Sequence, residues 1–228
     1  MSTENNFKIG IIPTCNYGLV NENSKCYDMR EKVGNKMLDY RLTKIKCQLK
    51  SNEGIYGIQF FYLNVNTAKE EALINVKSNE TNLIEQEMNF AFEEANDLRV
   101  WLSDEYKLIG FEISTNKNKS QKFGYGNDDQ LIICPDFENK DQTIVGFGVH
   151  ASDDMGVTSI YGYYLNKRTY SYLMYKGVFS LRNKIKEAEY KKKMDGKIQT
   201  MEEKNQILYR ICCLPDNQFF NIIKFALS

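Results

Sequence analysis

The stretch IVGFGVHASDDMGVTSIYGYYL, from Ile144 to Leu165, most constrains what this chain can build. Val145, Phe147 and Val149 alternate with Gly146 and Gly148, the period-two pattern of a strand with one face in a core. After the acidic stretch ASDDMG, Ile160 and its tyrosine neighbours resume an extended pattern. The segment therefore reads as two strands joined either by a plain bend or by a ligand loop. Glycines along one strand face leave room for another backbone or a large ring to approach closely.

The same alternation recurs upstream. RLTKIKCQL alternates, with Leu42 and then Ile45, Cys47 and Leu49, and GIYGIQFFYLNV is a long β-branched and aromatic run. In KLIGFEIST, Ile109, Phe111 and Ile113 oppose Gly110, Glu112 and Ser114. One segment, NETNLIEQEMNFAFEEAND, supports two readings: Ile84, Met88, Ala91 and Ala95 fit a helix, whereas Met88, Phe90 and Phe92 alternate. Its strand-rich surroundings favour a strand. Turn-rich strands spaced about a dozen residues apart predict a mainly β fold: an antiparallel sandwich, barrel or prism.

The flanks differ in character. Residues 1–37 are polar, interrupted by Gly10, Pro13, Gly18 and Gly34, and read as an irregular arm. Its two apolar patches, at Ile9, Ile11 and Ile12 and at Tyr17, Leu19 and Val20, suit edge strands or contact with a partner. Residues 38–175 carry the β domain. Residues 176–228 turn helical: Leu181, Ile185 and Ala188 share one face, and Thr200 to Glu203 forms a capping-box pattern ahead of Ile207, Leu208, Ile211 and Cys212. Phe219, Ile222, Ile223 and Ala226 follow Pro215 on a third helical face, completing a helical hairpin with an apolar seam.

Thirty basic residues balance thirty acidic ones, so no global field draws in a nucleic acid or an anionic membrane surface. No apolar run approaches the roughly 18 residues needed to span a bilayer, and the N-terminus lacks a signal-peptide core. The six cysteines lack paired metal-ligand spacing and are expected as free thiols in a cytoplasmic, non-secreted chain. The abundance of Asn, Lys, Ile and Tyr is that of an AT-rich genome such as a protist's, which suggests a cytoskeletal or ciliary setting.

Three motifs, in order, resemble jacalin-like lectin domains. RLTKIKCQLKSNEGIYGIQFFYLN is similar to that family's opening pair of strands. DEYKLIGFEISTNKNKSQKFG matches its strand and following loop at Ile109, Phe111, Thr115, Asn116, Lys117, Phe123 and Gly124. IVGFGVHASDDMGVTSIYGYYL looks like its closing segment. The resemblance covers about residues 38–165 and implies a β-prism of three Greek-key sheets. It also implies a sugar loop of the form Gly-x-x-x-Asp, whose carboxylate accepts hydrogen bonds from two adjacent hydroxyls. This sequence departs from that pattern: Thr158 stands where the family places its Asp, and Asp154 where the Gly belongs. A hydroxyl cannot bridge a vicinal diol as a carboxylate does.

His150 is the sole histidine, and although HASDD sets His, Ser and Asp side by side, successive strand residues point to opposite faces, so no catalytic triad is predicted. Neither Asp128-Asp129 nor Asp153-Asp154 has the ligand spacing of a calcium loop. No catalytic residue, metal site or cofactor is expected. The candidate ligand-binding residues are His150, Ser152, Asp153, Asp154 and Thr158; the candidate interaction surface comprises Tyr161, Tyr163, Phe219 and Ile223. The reading that results is a non-catalytic binding module serving as a structural subunit among protein partners. Its alternative is a cytosolic carbohydrate-binding lectin using residues 150–158.

Overall fold

The computed structural model describes residues 11–67, 69–90, 93–133, 142–167, 169–170 and 182–183. Three sequential hairpins form its framework. They are β4 (Tyr40–Lys50) with β5 (Gly54–Asn64), β8 (Ala95–Leu102) with β9 (Leu108–Thr115), and β12 (Gln142–Ser152) with β13 (Gly156–Asn166). Each hairpin is the centre of its own antiparallel sheet. β6 (Lys69–Val76) and β7 (Ile84–Asn89) flank the first, in the order β6-β5-β4-β7; β10 (Ser120–Gly124) and β11 (Leu131–Ile133) flank the second, in the order β10-β9-β8-β11. The third is flanked from the N-terminal segment, by β1 (Ile12–Pro13) and β2 (Tyr17–Gly18) on β13 and by β3 (Lys25–Asp28) on β12. The fold is mainly β, three sheets around one core.

Inward residues follow the period-two pattern. Ile45, Cys47 and Leu49 of β4, Phe111 and Ile113 of β9, and Phe147 and Val149 of β12 are all buried. Phe60 stacks on Phe147 with centroids 4.7 Å apart, joining the first and third sheets, and Phe111 stacks on Phe123 at 5.0 Å within the second. Rings of this size each contribute about 1.5–3 kcal/mol when withdrawn from water, so these contacts are a large part of what holds the sheets together. Within the ambiguous segment Ile84–Asn89 is strand β7, with Met88 buried opposite Ile45, and Ala95 opens β8; Ala91 and Phe92 lie outside the described residues.

The described part of the expected irregular arm is sheet-bearing. Ile9 lies outside the described residues; the described parts of the two apolar patches dock on β13, as edge strands, through Ile12 opposite Tyr164 and Tyr17 opposite Ile160. β3, unannounced by any long apolar run, pairs Cys26 with His150 and Asp28 with Gly148. A two-stranded third sheet would leave both edges of β12–β13 unpaired, and the arm removes that liability. After β3 comes the short helix α1 (Met29–Val33), capped by Asp28, whose carboxylate accepts from the Arg30 backbone N–H at 2.6 Å.

The outer face of β12 uses its glycines as space. A Cβ on Gly148 would lie 2.1 Å from Cζ of Tyr161, and one on Gly146 would lie 2.7 Å from Sδ of Met29. A tyrosine ring and a methionine fill the places that side chains would otherwise occupy. The expected helical tail, residues 176–228, lies outside the described residues apart from 182–183, which are helical. Tyr170 and Arg182 are both buried.

Candidate functional site: the three-turn end of the prism

The connections at 51–53, 103–107 and 153–155 close the three central hairpins and gather at one end. A Cβ on Gly54 would stand 3.2 Å from the Leu108 carbonyl oxygen, and one on Gly156 would stand 2.6 Å from that of Ile55 and 2.8 Å from Cα of Tyr56. Gly156 also has φ of +70°, so both its backbone conformation and its close approach require glycine. The acidic stretch is thus a three-residue hairpin turn, with Ser152 opposite Gly156. It is a bend, pressed onto the start of β5.

The structure sorts the predicted ligand residues into two groups. Ser152 and Asp154 belong together: Ser152 Oγ accepts from the Met155 N–H at 3.3 Å, and its hydrogen bond to Asp154 holds that carboxyl below the usual aspartate range. Asp153 is wholly exposed and pairs with the exposed Lys25 at 3.9 Å, a contact of small energetic weight. Thr158 is fully buried; its hydroxyl donates to the His150 carbonyl at 3.3 Å, and its own carbonyl accepts from the Leu19 N–H at 3.1 Å. It lies at the irregularity where β12 and β13 slip register between His150 and Ala151. The residue in the place of the family's Asp is therefore committed to the sheet. His150 pairs through Nδ1 with Ser159 Oγ at 2.9 Å, and burial lowers its pKa below the ordinary histidine value.

Tyr161 and Tyr163, expected on an interaction surface, are instead 7% and 4% exposed. Their hydroxyls donate to Oδ2 of Asp28 at 2.7 and 2.6 Å, so their polar tips are already satisfied within the protein. The cause is β3, which brings an acid alongside the glycine face that the rings cover. Phe219 and Ile223 lie outside the described residues.

Sequence reasoning missed the groups that meet the turn. Tyr56 lies against Gly156, with Lys50 and Lys107 ammonium groups 5.1 and 5.2 Å from its ring centroid. Its hydroxyl donates to Glu53 at 2.7 Å, and Lys50 bridges Glu53 and Glu80 at 3.1 and 3.5 Å. Burial pushes the Lys107 ammonium below the usual lysine range, against the pull of Glu53 and Asp154. On the same turn Tyr106 is 69% exposed with φ of +60°. The signal that could have exposed this grouping is the equivalence of three turns, SNE, SDEYK and DDM, each closing a central hairpin.

The arrangement offers an ionised carboxylate, an ammonium group and an exposed aromatic ring on one rim. Such a set accepts and donates hydrogen bonds and presents an apolar face. Among the described residues, no three His, Cys, Asp or Glu side chains converge as metal ligands, and no helix is long and apolar enough to cross a membrane.

Three hairpin-centred sheets sharing one core, with their turns gathered at one end, define a β-prism. Among solved structures the chain is similar to the mannose-binding lectin from Champedak, at 16% identity over 68% of this chain and 96% of that one, with a TM-score of 0.51. It is similar also to single-chain recombinant jacalin, at 18% identity over 68% and 95% of the two chains, with a TM-score of 0.50. No protein-family model and no curated protein matches it. The domain has the jacalin-like β-prism fold.

Proposed function

We propose that this protein is a non-catalytic carbohydrate-binding module whose ligand end is the rim of the three turns. The observation that carries the reading is Asp154, ionised and hydrogen-bonded to Ser152, set near Lys107 above the Tyr56 ring. The carboxylate takes over, from a different position, the acceptor role that a buried Thr158 cannot fill, and Tyr106 offers its ring to the apolar face of a pyranose. The lectin neighbours support the ligand class through their fold. The reading as a structural subunit among protein partners has less support, because Tyr161 and Tyr163 are buried and spent on Asp28. The thiols of Cys15, Cys26 and Cys47, all unpaired, support a cytoplasmic setting.

Calorimetric titration with mannose, galactose and their oligomers tests the proposal. Binding in the millimolar range or tighter, lost in Asp154→Ala and weakened in Lys107→Ala, is the expected result. Saccharide binding that both variants leave intact, or no binding by any of these sugars, would overturn it.

A further inference from the structure

The outward face of β4, β5 and β7 carries two rows of cross-strand neighbours. In the row nearer the turns, Glu85, Gln48 and Gly57 stand side by side; in the next, Glu87, Lys46, Gln59 and Asn75 do so. A groove runs across these rows, lined by Lys46, Gln48, Gly57, Gln59, Glu85 and Glu87. Because Gly57 has no side chain, the Gln48 amide lies down over it: a Cβ built there would stand 2.4 Å from Oε1 of Gln48. Planar amides and carboxylates supply its walls: Gln48 Nε2 donates to Glu85 at 3.4 Å, Gln59 Nε2 to Asn75 at 2.9 Å, and Lys46 pairs with Glu87 at 3.2 Å.

Along β5 the groove begins one residue beyond the contact with the three-turn end. Tyr56, which meets the 153–155 turn through Gly156 and carries Lys50 and Lys107 over its ring, immediately precedes Gly57. At about 3.4 Å per residue, Gly57 lies about 10 Å along β5 from Gly54. That interval suits a chain of sugar rings better than a single one. Alternating donors and acceptors on a flat, half-exposed face match the hydroxyl pattern of an extended saccharide, which carries both functions on every ring.

We propose that the β4–β5–β7 groove is a second saccharide subsite, taking the successive units of a linear oligosaccharide whose end is held at the three turns. This rests on the carbohydrate reading above and adds to it a preference for chain length and a residue, Gly57, whose missing side chain lets the Gln48 amide lie back from the path.

The test is a titration of the full chain with mannose, mannobiose and mannotriose, and with the galactose series, read by calorimetry and by NMR. The NMR probes are the Gly57 backbone amide and the side-chain NH2 groups of Gln48 and Gln59. Affinity is expected to rise at least fivefold from monosaccharide to trisaccharide, with groove signals moving only for the longer chains. In Gly57→Ser the flexible Gln48 side chain yields and is pushed into the groove, so trisaccharide affinity should fall to the monosaccharide level while monosaccharide affinity holds. Gln59→Ala, which removes an outward side chain without touching the core, should lose part of the same gain. Affinity independent of chain length, or shifts confined to residues 153–155, would overturn the subsite and leave the module reading standing. Failure of every saccharide to bind would remove both.

Discussion

Tyr161 donates its hydroxyl to Asp28 across strand β12, 2.7 Å from an acid that precedes it by 133 residues, and its ring covers Gly148 on the way. The same carboxylate accepts from Tyr163 and caps α1, so one buried side chain joins the N-terminal segment, the third sheet and the helix that follows.

Removing that acceptor should be expensive. Asp28→Ala strands two buried hydroxyls and an N-cap, and about 3 kcal/mol or more of stability should be lost, with Asp28→Asn intermediate. Urea unfolding of Asp28→Ala, Tyr161→Phe and the double variant gives the coupling. Additive losses would mean that the hydrogen bond carries no shared energy.

The glycines should differ sharply in tolerance. Gly156→Ala places a Cβ against the Ile55 backbone at positive φ and should cost about 1–3 kcal/mol. Gly148→Ala displaces the Tyr161 ring and should cost a similar amount through overpacking. Thermal denaturation reads both.

Restoring the acid of the jacalin-like pattern should fail. Thr158→Asp puts a carboxylate where the side chain is fully buried and bonded to a carbonyl, which repels it. Destabilisation of about 3 kcal/mol or more is expected, without gain in saccharide affinity. A variant that folds normally and binds sugar more tightly would contradict this.

Glu94 should make stability depend on pH. Burial raises its pKa above 4.5, despite the opposing charges of Arg41, Lys167 and Lys117, and its Oε2 has no hydrogen-bond partner among the described residues. The folded protein therefore holds this proton more tightly than the unfolded chain. Its stabilising contribution is full below a pH of 4.5 and is lost as pH rises through the folded value. Melting temperatures of the natural protein and Glu94→Gln should nearly coincide at about pH 4, then diverge in favour of the variant toward about pH 8. A constant difference would show that Glu94 titrates normally.

Period-two patterning made the central strands legible, because Ile45, Phe111, Phe147 and their neighbours alternate strictly with polar or glycine positions. The glycine face of β12 was legible too, down to the large ring it admits. β1 to β3 were harder: strands of two to four residues have no pattern of their own and are defined by the partner they pair with. Tyr161 and Tyr163 read as a contact surface because polar-tipped rings are enriched in interfaces; the acid that holds their hydroxyls inside, Asp28, is 133 and 135 residues away in sequence. Tyr56, Lys50 and Lys107 meet only because two turns close on one end, a relationship set by sheet packing rather than local sequence.

Pairing of the first described strands with the last has a temporal side. During vectorial synthesis β1, β2 and β3 emerge more than a hundred residues before their partners β12 and β13. They must wait, unpaired, while the other two sheets are assembled. Contacts of such separation slow the final closure and leave strand edges open to other chains in the interval. Asp28, Tyr161 and Tyr163 then act as a late latch, and variants that weaken it should lower the yield of native protein even where the finished fold would survive.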